Sequence, residues 1–283
     1  MTLLEDKLRN LQENLAGMKS VLVAFSGGVD STFLLSAAHE VLESRAVAIT
    51  IASELHSPNE IQEARKIAAM LGSPHEVVYA KILDLPGLKE NPPSRCYLCK
   101  RHLFSKLKEM ASQRDLAYVV DGSNADDLGD YRPGMAALTE LGIRSPLMEA
   151  GLTKEEIRLL SKERGLPTWN KPTMACLATR FPYGIEFTEA DLGRVEEAER
   201  FLRTMGLYDV RVRHHGDMAR IETGRNEMMR CIENADAIVT KLKGLGYVYI
   251  ALDLQGYRSG SMNVGLSHSL QDVHAAEATP SDG

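Results

Sequence analysis

Leu4, Leu8, Leu11, Leu15 and Met18 recur at spacings of four and three, which predicts an amphipathic helix at the start of the chain. The pattern then changes. Residues 21–25 form an apolar run without charge, the signature of a buried strand, and Phe33, Leu34 and Leu35 mark a helix face just beyond it. A second strand is predicted over 46–51. Ser57 and Pro58 then supply a cap and a first helical position, Ile61, Ala64, Ile67, Ala68 and Leu71 line one face, and Gly72 ends the helix. A third strand follows over 76–79, a helix around 98–111, and a fourth strand over 117–121. Strands and helices alternating at this spacing predict βαβ units and a parallel sheet. Ligands of such sheets sit beyond the carboxyl ends of strands, where strand order reverses.

Residues 165–183 carry Pro167, Pro172 and Pro182 and little regular pattern, so a domain boundary is expected near their end. Beyond it, Leu192, Val195, Leu202 and Met205 predict a helix. Residues 210–214 and 218–222 read as a hairpin around His215-Gly216-Asp217. Residues 226–243 predict a second amphipathic helix, and 247–252 a last strand. The expected architecture is α/β: a parallel-sheet domain over 1–183, then a smaller α+β domain over 184–268 for substrate binding or oligomerisation. The small, polar residues 269–283 are expected to form a disordered tail.

The bulk properties narrow the classes of function. Of 283 residues, 44% are hydrophobic and 25% charged, as in an ordinary globular protein. The net charge of −6 argues against non-specific nucleic-acid binding. No apolar run approaches the roughly 20 residues that span a bilayer. The first residues lack the basic start and apolar core of a signal peptide. A cytoplasmic protein with reduced thiols is the expectation, so its four cysteines point to metal binding or catalysis before disulfides.

Between the first strand and its helix stands Ser26-Gly27-Gly28-Val29-Asp30-Ser31. A glycine pair there lets backbone N–H groups approach an anion, and the helix N-terminus adds partial positive charge. Ser26 and Ser31 offer hydroxyl donors, and Asp30 a ligand for Mg²⁺ on the phosphates. The segment has no lysine and is not a Walker-type loop; it resembles the PP-loop of ATP pyrophosphatases. The competing reading is a glycine turn without a ligand.

The fourth strand ends in Asp121-Gly122-Ser123-Asn124-Ala125-Asp126-Asp127. Gly122 would let a nucleotide lie against backbone, with Asn124 beside it, and Asp126 or Asp127 could hold Mg²⁺. A plain Asx-rich turn is the alternative. In Tyr131-Arg132-Pro133-Gly134, Arg132 is placed to meet a phosphate or to sit in solvent.

Cys96 and Cys99 fall three apart at a predicted helix start, among Arg95, Lys100 and Arg101, which favour thiolates. Cys176 lies in the irregular stretch, with Arg180 as its nearest cation. Three readings compete: a 4Fe–4S cluster on Cys96, Cys99 and Cys176 with one open iron; zinc, with His102 or Cys231 as fourth ligand; or a redox pair plus a lone nucleophile. Cys231, among Met228, Met229 and Ile232, reads as core. Arg211 and Arg213 alternate along a strand and share a face; Glu222 could bind metal or orient Arg211, and Glu196 and Glu199 are weaker candidates. His214 and His215 read as structural or phosphate-adjacent.

Together, the loop at 26–31, the turn at 122–127, Asp130-Tyr131-Arg132-Pro133-Gly134, Ala175-Cys176-Leu177 with Arg180, and Val210-Arg211-Val212-Arg213-His214-His215 resemble the LarE family. These are ATP-dependent sulfur transferases that help build the nickel-pincer nucleotide cofactor of lactate racemase. The resemblance implies ATP and Mg²⁺ as cofactors and a pyridinium-3,5-dicarboxylate mononucleotide as substrate. One carboxylate of it would be adenylylated and then converted to a thiocarboxylate. The resemblance also implies a phosphate site at Arg211 and Arg213, and a homo-oligomer. Cys176 matches the sulfur sacrificed in single-cysteine members. Cys96 and Cys99 depart from that pattern and match the subtype in which three cysteines hold a 4Fe–4S cluster, with an unknown sulfide donor. A PP-loop tRNA thiolase, the sacrificial route at Cys176, an ammonia-using ligase and a non-catalytic sensor are the alternatives.

Overall fold

The computed structural model describes residues 3–129, 133–172 and 175–258, which fall into two compact units. Asp130, Tyr131, Arg132, Thr173, Met174 and the tail at 269–283 lie outside the described residues. The first unit runs to Lys81 and resumes over 94–174. It comprises α1 (Leu3–Met18), β1 (Val21–Ala24), α2 (Val29–Leu42), β2 (Ala46–Ala52), α3 (Pro58–Met70), β3 (His75–Tyr79), α4 (Arg95–Gln113), β4 (Tyr118–Val120), α5 (Pro133–Glu140), α6 (Pro146–Glu149) and α7 (Lys154–Glu163).

Among the described residues its sheet has four strands, all parallel, in the order β3-β2-β1-β4. β1 explains why both faces are covered. Val21 and Val23 point into a core with Leu11, Leu15, Phe33 and Leu34, while Leu22 joins Ile49, Phe104, Leu107 and Val119 on the other face. Each such buried side chain contributes about 1.5–3 kcal/mol. The chain leaves β1 toward β2 on one side and returns to β4 on the other, so the strand order reverses at β1/β4. The loops after these two strands are therefore neighbours.

The second unit holds α8 (Glu189–Thr204), β5 (Arg211–His215), β6 (Met218–Glu222), α9 (Met228–Glu233), α10 (Ala235–Gly244) and β7 (Tyr249–Leu252). α8 begins on a capping box of Thr188 and Asp191. β5 and β6 form the expected hairpin, turning at Gly216 (φ 62°), and β7 adds in parallel to β6. Leu202, Val210, Val212, Ile221, Cys231, Leu242 and Tyr247 make its core.

One expectation changes. The helix predicted over 226–243 is broken at Asn234, whose backbone (φ −107°, ψ 20°) leaves helical geometry while its side-chain amide donates to the Arg230 carbonyl. In the grouping into compact units, residues 175–183 and the distant segment 82–93 both fall with the second unit. Asn91 accounts for this. Fully buried at φ 52°, it donates to the carbonyls of Phe181 (3.0 Å) and Pro182 (2.7 Å) and accepts from Gly184 N–H.

Candidate active site

The loop after β1 is set by sterics. Gly27 has φ 67°, and a Cβ there would stand 3.0 Å from Ala64 Cα of α3, so only glycine fits. Gly28 is the N-cap of α2 and donates to Ser26 Oγ at 3.3 Å; Ser26 Oγ lies 3.0 Å from Ser31 Oγ. The two hydroxyls thus brace the loop from inside. Asp30, in the first turn, ion-pairs through Oδ2 with Lys154 at the start of α7. Its Oδ1 is buried and has no hydrogen-bond partner. An orphaned carboxylate oxygen at a helix start beside an anion loop has the donor chemistry of a Mg²⁺ ligand.

The turn after β4 packs directly on this loop. A Cβ on Gly122 would meet Ser31 N at 3.1 Å and Asp30 C at 3.4 Å, so its missing side chain admits the start of α2. Asn124 and Asp127 hold the turn itself: Asp127 Oδ2 accepts Asn124 N–H (3.0 Å), and Asn124 Oδ1 accepts Asp126 N–H. Asp126 accepts Lys154 N–H, which ties the turn to α7. Asp121 is buried and accepts from Ser123 and Ser145 hydroxyls, each at 2.6 Å.

Cys96 and Cys99 occupy the first turn of α4, both half-buried. No acid lies in that turn, and the buried Arg95 donates to Cys96 Sγ at 3.8 Å. Lys100 is directed elsewhere. Its ammonium is 3.9 Å from Asp121, and its stem runs where a Cβ on Gly134 would stand 2.7 Å away. In the second unit, Cys176 is half-buried and precedes a single 3₁₀ turn, Leu177–Arg180. Arg180 donates to the carbonyls of Ala175 (2.6 Å) and Cys176 (3.1 Å), so it fixes the cysteine's backbone. Among the described residues no group of three His, Cys, Asp or Glu is arranged as a metal site. Cys231 is core, and burial pushes its thiol up.

The strand of arginines is buried. Arg213 donates through Nε and Nη2 to Glu222 Oε2 (2.9 and 2.7 Å), and Arg220 also pairs with Glu222. Glu222 is thus the counter-charge of Arg213. Arg211, 4% exposed, donates to the Val210 carbonyl and lies against the Tyr257 ring. Burial, then the charge of Arg180, lowers its pKa. Glu199 is 1% exposed and bridges Arg180, Arg203 and the Val212 N–H. Burial pushes its carboxyl up, but Arg180, Arg203 and Arg211 outweigh this and hold it below the usual glutamate range. His214 stacks between Phe181 and Tyr247, 5.0 and 5.6 Å between centroids, and burial lowers its pKa; its role here is packing.

Residues 1–84 match the model of the PP-loop domain. Over 263 residues the chain is 42% identical to an uncharacterized protein of Synechocystis, covering 92% of this chain and 98% of that protein. It is 38% identical over 264 residues to pyridinium-3,5-bisthiocarboxylic acid mononucleotide synthase of Lactiplantibacillus plantarum, covering 93% of this chain and 96% of that enzyme. The chain belongs to the LarE family. A tRNA-specific 2-thiouridylase of Desulforamulus reducens is more distant, 26% identical over 56% of this chain and 54% of its own.

As a LarE-family member the chain is an ATP-dependent, sulfur-transferring enzyme. Two partners of the loop after β1 escape sequence reasoning. Lys154 pairs with Asp30 from 124 positions away. Lys171 donates to the Gly27 carbonyl (3.0 Å) and to Glu63. Glu199, a weak candidate by sequence, is the buried hub of the second unit's charges. Only the fold brings these partners together; Lys154 carried one local signal, its place after the Thr153 cap of α7.

Proposed function

We propose that this LarE-family chain adenylylates a carboxylate of pyridinium-3,5-dicarboxylate mononucleotide and converts it to a thiocarboxylate. The observation that carries this reading is the 38% identity to the L. plantarum synthase across nearly all of both chains. A carboxylate oxygen attacks the α-phosphorus of ATP; the new O–P bond replaces the α–β anhydride bond, and pyrophosphate leaves. A sulfur nucleophile then adds to the acyl carbon, the bond to AMP breaks, and the thiocarboxylate remains. Adenylylation supplies the leaving group that a bare carboxylate lacks.

The roles of the loop residues follow from local chemistry, and those of Arg211 and Arg213 from the family resemblance. Backbone N–H groups of 26–28 and the start of α2 receive the phosphates. Asp30 Oδ1 suits Mg²⁺, which would neutralise charge developing on the leaving pyrophosphate. Gly122, Asn124 and Asp127 shape the nucleotide side of the loop, and Arg211 and Arg213 bind the substrate phosphate. Arg180 and Glu199 hold the Cys176 backbone and the arginine strand in place. Cys96, Cys99 and Cys176 are thiols of the kind that hold a 4Fe–4S cluster, as in the three-cysteine subtype the sequence resembles, although among the described residues they do not form a three-ligand group. Such a cluster would offer sulfide at an open iron. The second reading takes the sulfur from Cys176 itself: Sγ bonds to the acyl carbon as AMP leaves, then a base takes the Cα proton while the Cβ–Sγ bond breaks, releasing the thiocarboxylate and leaving dehydroalanine; the Arg180 contacts that fix the Cys176 backbone support it equally.

The test is ATP–pyrophosphate exchange by the full chain, purified without oxygen, with Mg²⁺ and the mononucleotide. Exchange that depends on the mononucleotide, with a product heavier by one sulfur-for-oxygen replacement, is expected. Exchange dependent on tRNA instead, or none at all, overturns the reading. Iron and acid-labile sulfide that vanish in Cys96→Ala, Cys99→Ala and Cys176→Ala select the cluster. Loss of one H₂S from Cys176 after turnover selects the sacrificial route.

A further inference from the structure

We propose that Tyr257 is a positioning residue for substrate binding, holding the Arg211 guanidinium in place for the phosphate. The proposal rests on the reading of Arg211 as a phosphate ligand.

After β7 the chain is stitched back onto the end of β6. Asp253 N–H donates to the Ile221 carbonyl and Tyr257 N–H to the Thr223 carbonyl, each at 2.9 Å. Asp253 also pairs with Arg220 at 3.5 Å. Between these anchors Gly256 is buried at φ 75°, and a Cβ there would stand 3.0 Å from the Thr223 carbonyl oxygen and 3.1 Å from Met228 Cε. No other residue fits that position without moving the backbone. The path of the chain at 257 is therefore fixed by two hydrogen bonds and one steric constraint. Arg211 stands opposite Glu222 in the hairpin register, one residue before Thr223, so the tyrosine arrives beside it. The guanidinium carbon lies over the ring, 4.9 Å from its centroid.

The chemistry of this contact differs from that of the neighbouring arginine. Glu222 holds Arg213 by opposing its charge. An aromatic face attracts a guanidinium through its quadrupole and adds no negative charge. Glu199 already faces the Arg211 charge; the ring adds orientation without a further acid and stops the side chain from swinging out. Two backbone bonds and a glycine thus serve to present one ring to one arginine.

The experiment is ATP–pyrophosphate exchange by the full-length enzyme, which reads adenylylation whatever the sulfur source, with the mononucleotide and ATP varied separately, in Tyr257→Phe, Tyr257→Leu, Arg211→Leu and the Tyr257→Leu/Arg211→Leu pair. Tyr257→Leu should raise the mononucleotide KM roughly thirtyfold, the factor a desolvated cation–π contact is worth, with ATP KM and kcat held. Tyr257→Phe should restore the wild-type KM, because the ring and not the hydroxyl acts. In the Arg211→Leu background the leucine at 257 should add nothing. A wild-type KM in Tyr257→Leu, equal changes in both KM values, or an additive double variant overturns the proposal. An unchanged mononucleotide KM in Arg211→Leu overturns instead the phosphate reading beneath it. Should Tyr257→Leu fail to fold, a Tyr257→Phe variant with a raised mononucleotide KM would equally reject the ring as the acting group.

Discussion

The loop after β1 and the arginine strand β5 both gather groups that attract anions, yet they are stabilised in opposite ways. The loop is shaped by what is missing: side chains at Gly27 and Gly122, and a partner for Asp30 Oδ1. The strand and its surroundings are shaped by what is supplied: Glu222 for Arg213 on the strand, and Glu199 for Arg180 beside it. A backbone loop carries only partial charges, so it can stand ready with little electrostatic cost. Whole guanidiniums buried at 4–7% exposure cannot, and they need counter-charges before any substrate arrives. The lesson is that arginines buried in a core bring their own acids, and those acids are part of the fold.

The sharpest way to break this contrast is Glu199→Gln. It keeps the shape and leaves Arg180 buried without its counter-charge, so it should cost about 3–5 kcal/mol in urea unfolding. The pH dependence has a fixed sign. The carboxyl is held below its ordinary range, so its contribution is present above that range and is lost as pH falls through the depressed value. The acid-side loss of stability should shrink in Glu199→Gln; equal acid slopes would remove the charge account of the second unit. The next effect concerns the loop. Asp30→Asn should lower ATP–pyrophosphate exchange about 100-fold with the circular dichroism unchanged, since it removes a charged oxygen and little packing. Wild-type exchange at low Mg²⁺ would show that this oxygen is not a metal ligand. The smallest effect is Gly122→Ala. It should cost about 1–2 kcal/mol by crowding Ser31 and raise the KM for ATP. An alanine tolerated without either change would mean that the two loops do not set each other's positions.

How much of this was legible in the sequence follows from the range of the interactions. The parallel sheet was readable because each strand announces itself within a few residues, as 21–25 does before its glycine pair. The anion loop was readable for the same reason. The partners of Asp30 and Gly27, Lys154 and Lys171, were not, since no local pattern links a lysine to a carboxylate or carbonyl more than a hundred residues away. Glu222 was read as a metal ligand or a guide for Arg211, its cross-strand neighbour. The side chain pairs with Arg213 and Arg220, which register alone does not give, because it fixes Cα positions and not where long side chains end. Asn234 broke the 226–243 helix through a local amide-to-carbonyl bond that hydrophobic spacing does not report.

Asn91 has a practical consequence. A gene fragment that begins at residue 175 would encode every strand and named helix of the second unit and still omit the amide that clasps Phe181 and Pro182. It would also omit the Lys89 carbonyl that receives Phe187 N–H. Excision of that half needs residues 82–93 grafted back, or a circular permutation that carries them along. On the ribosome, the same clasp is made early and waits for some ninety further residues before it has anything to close on.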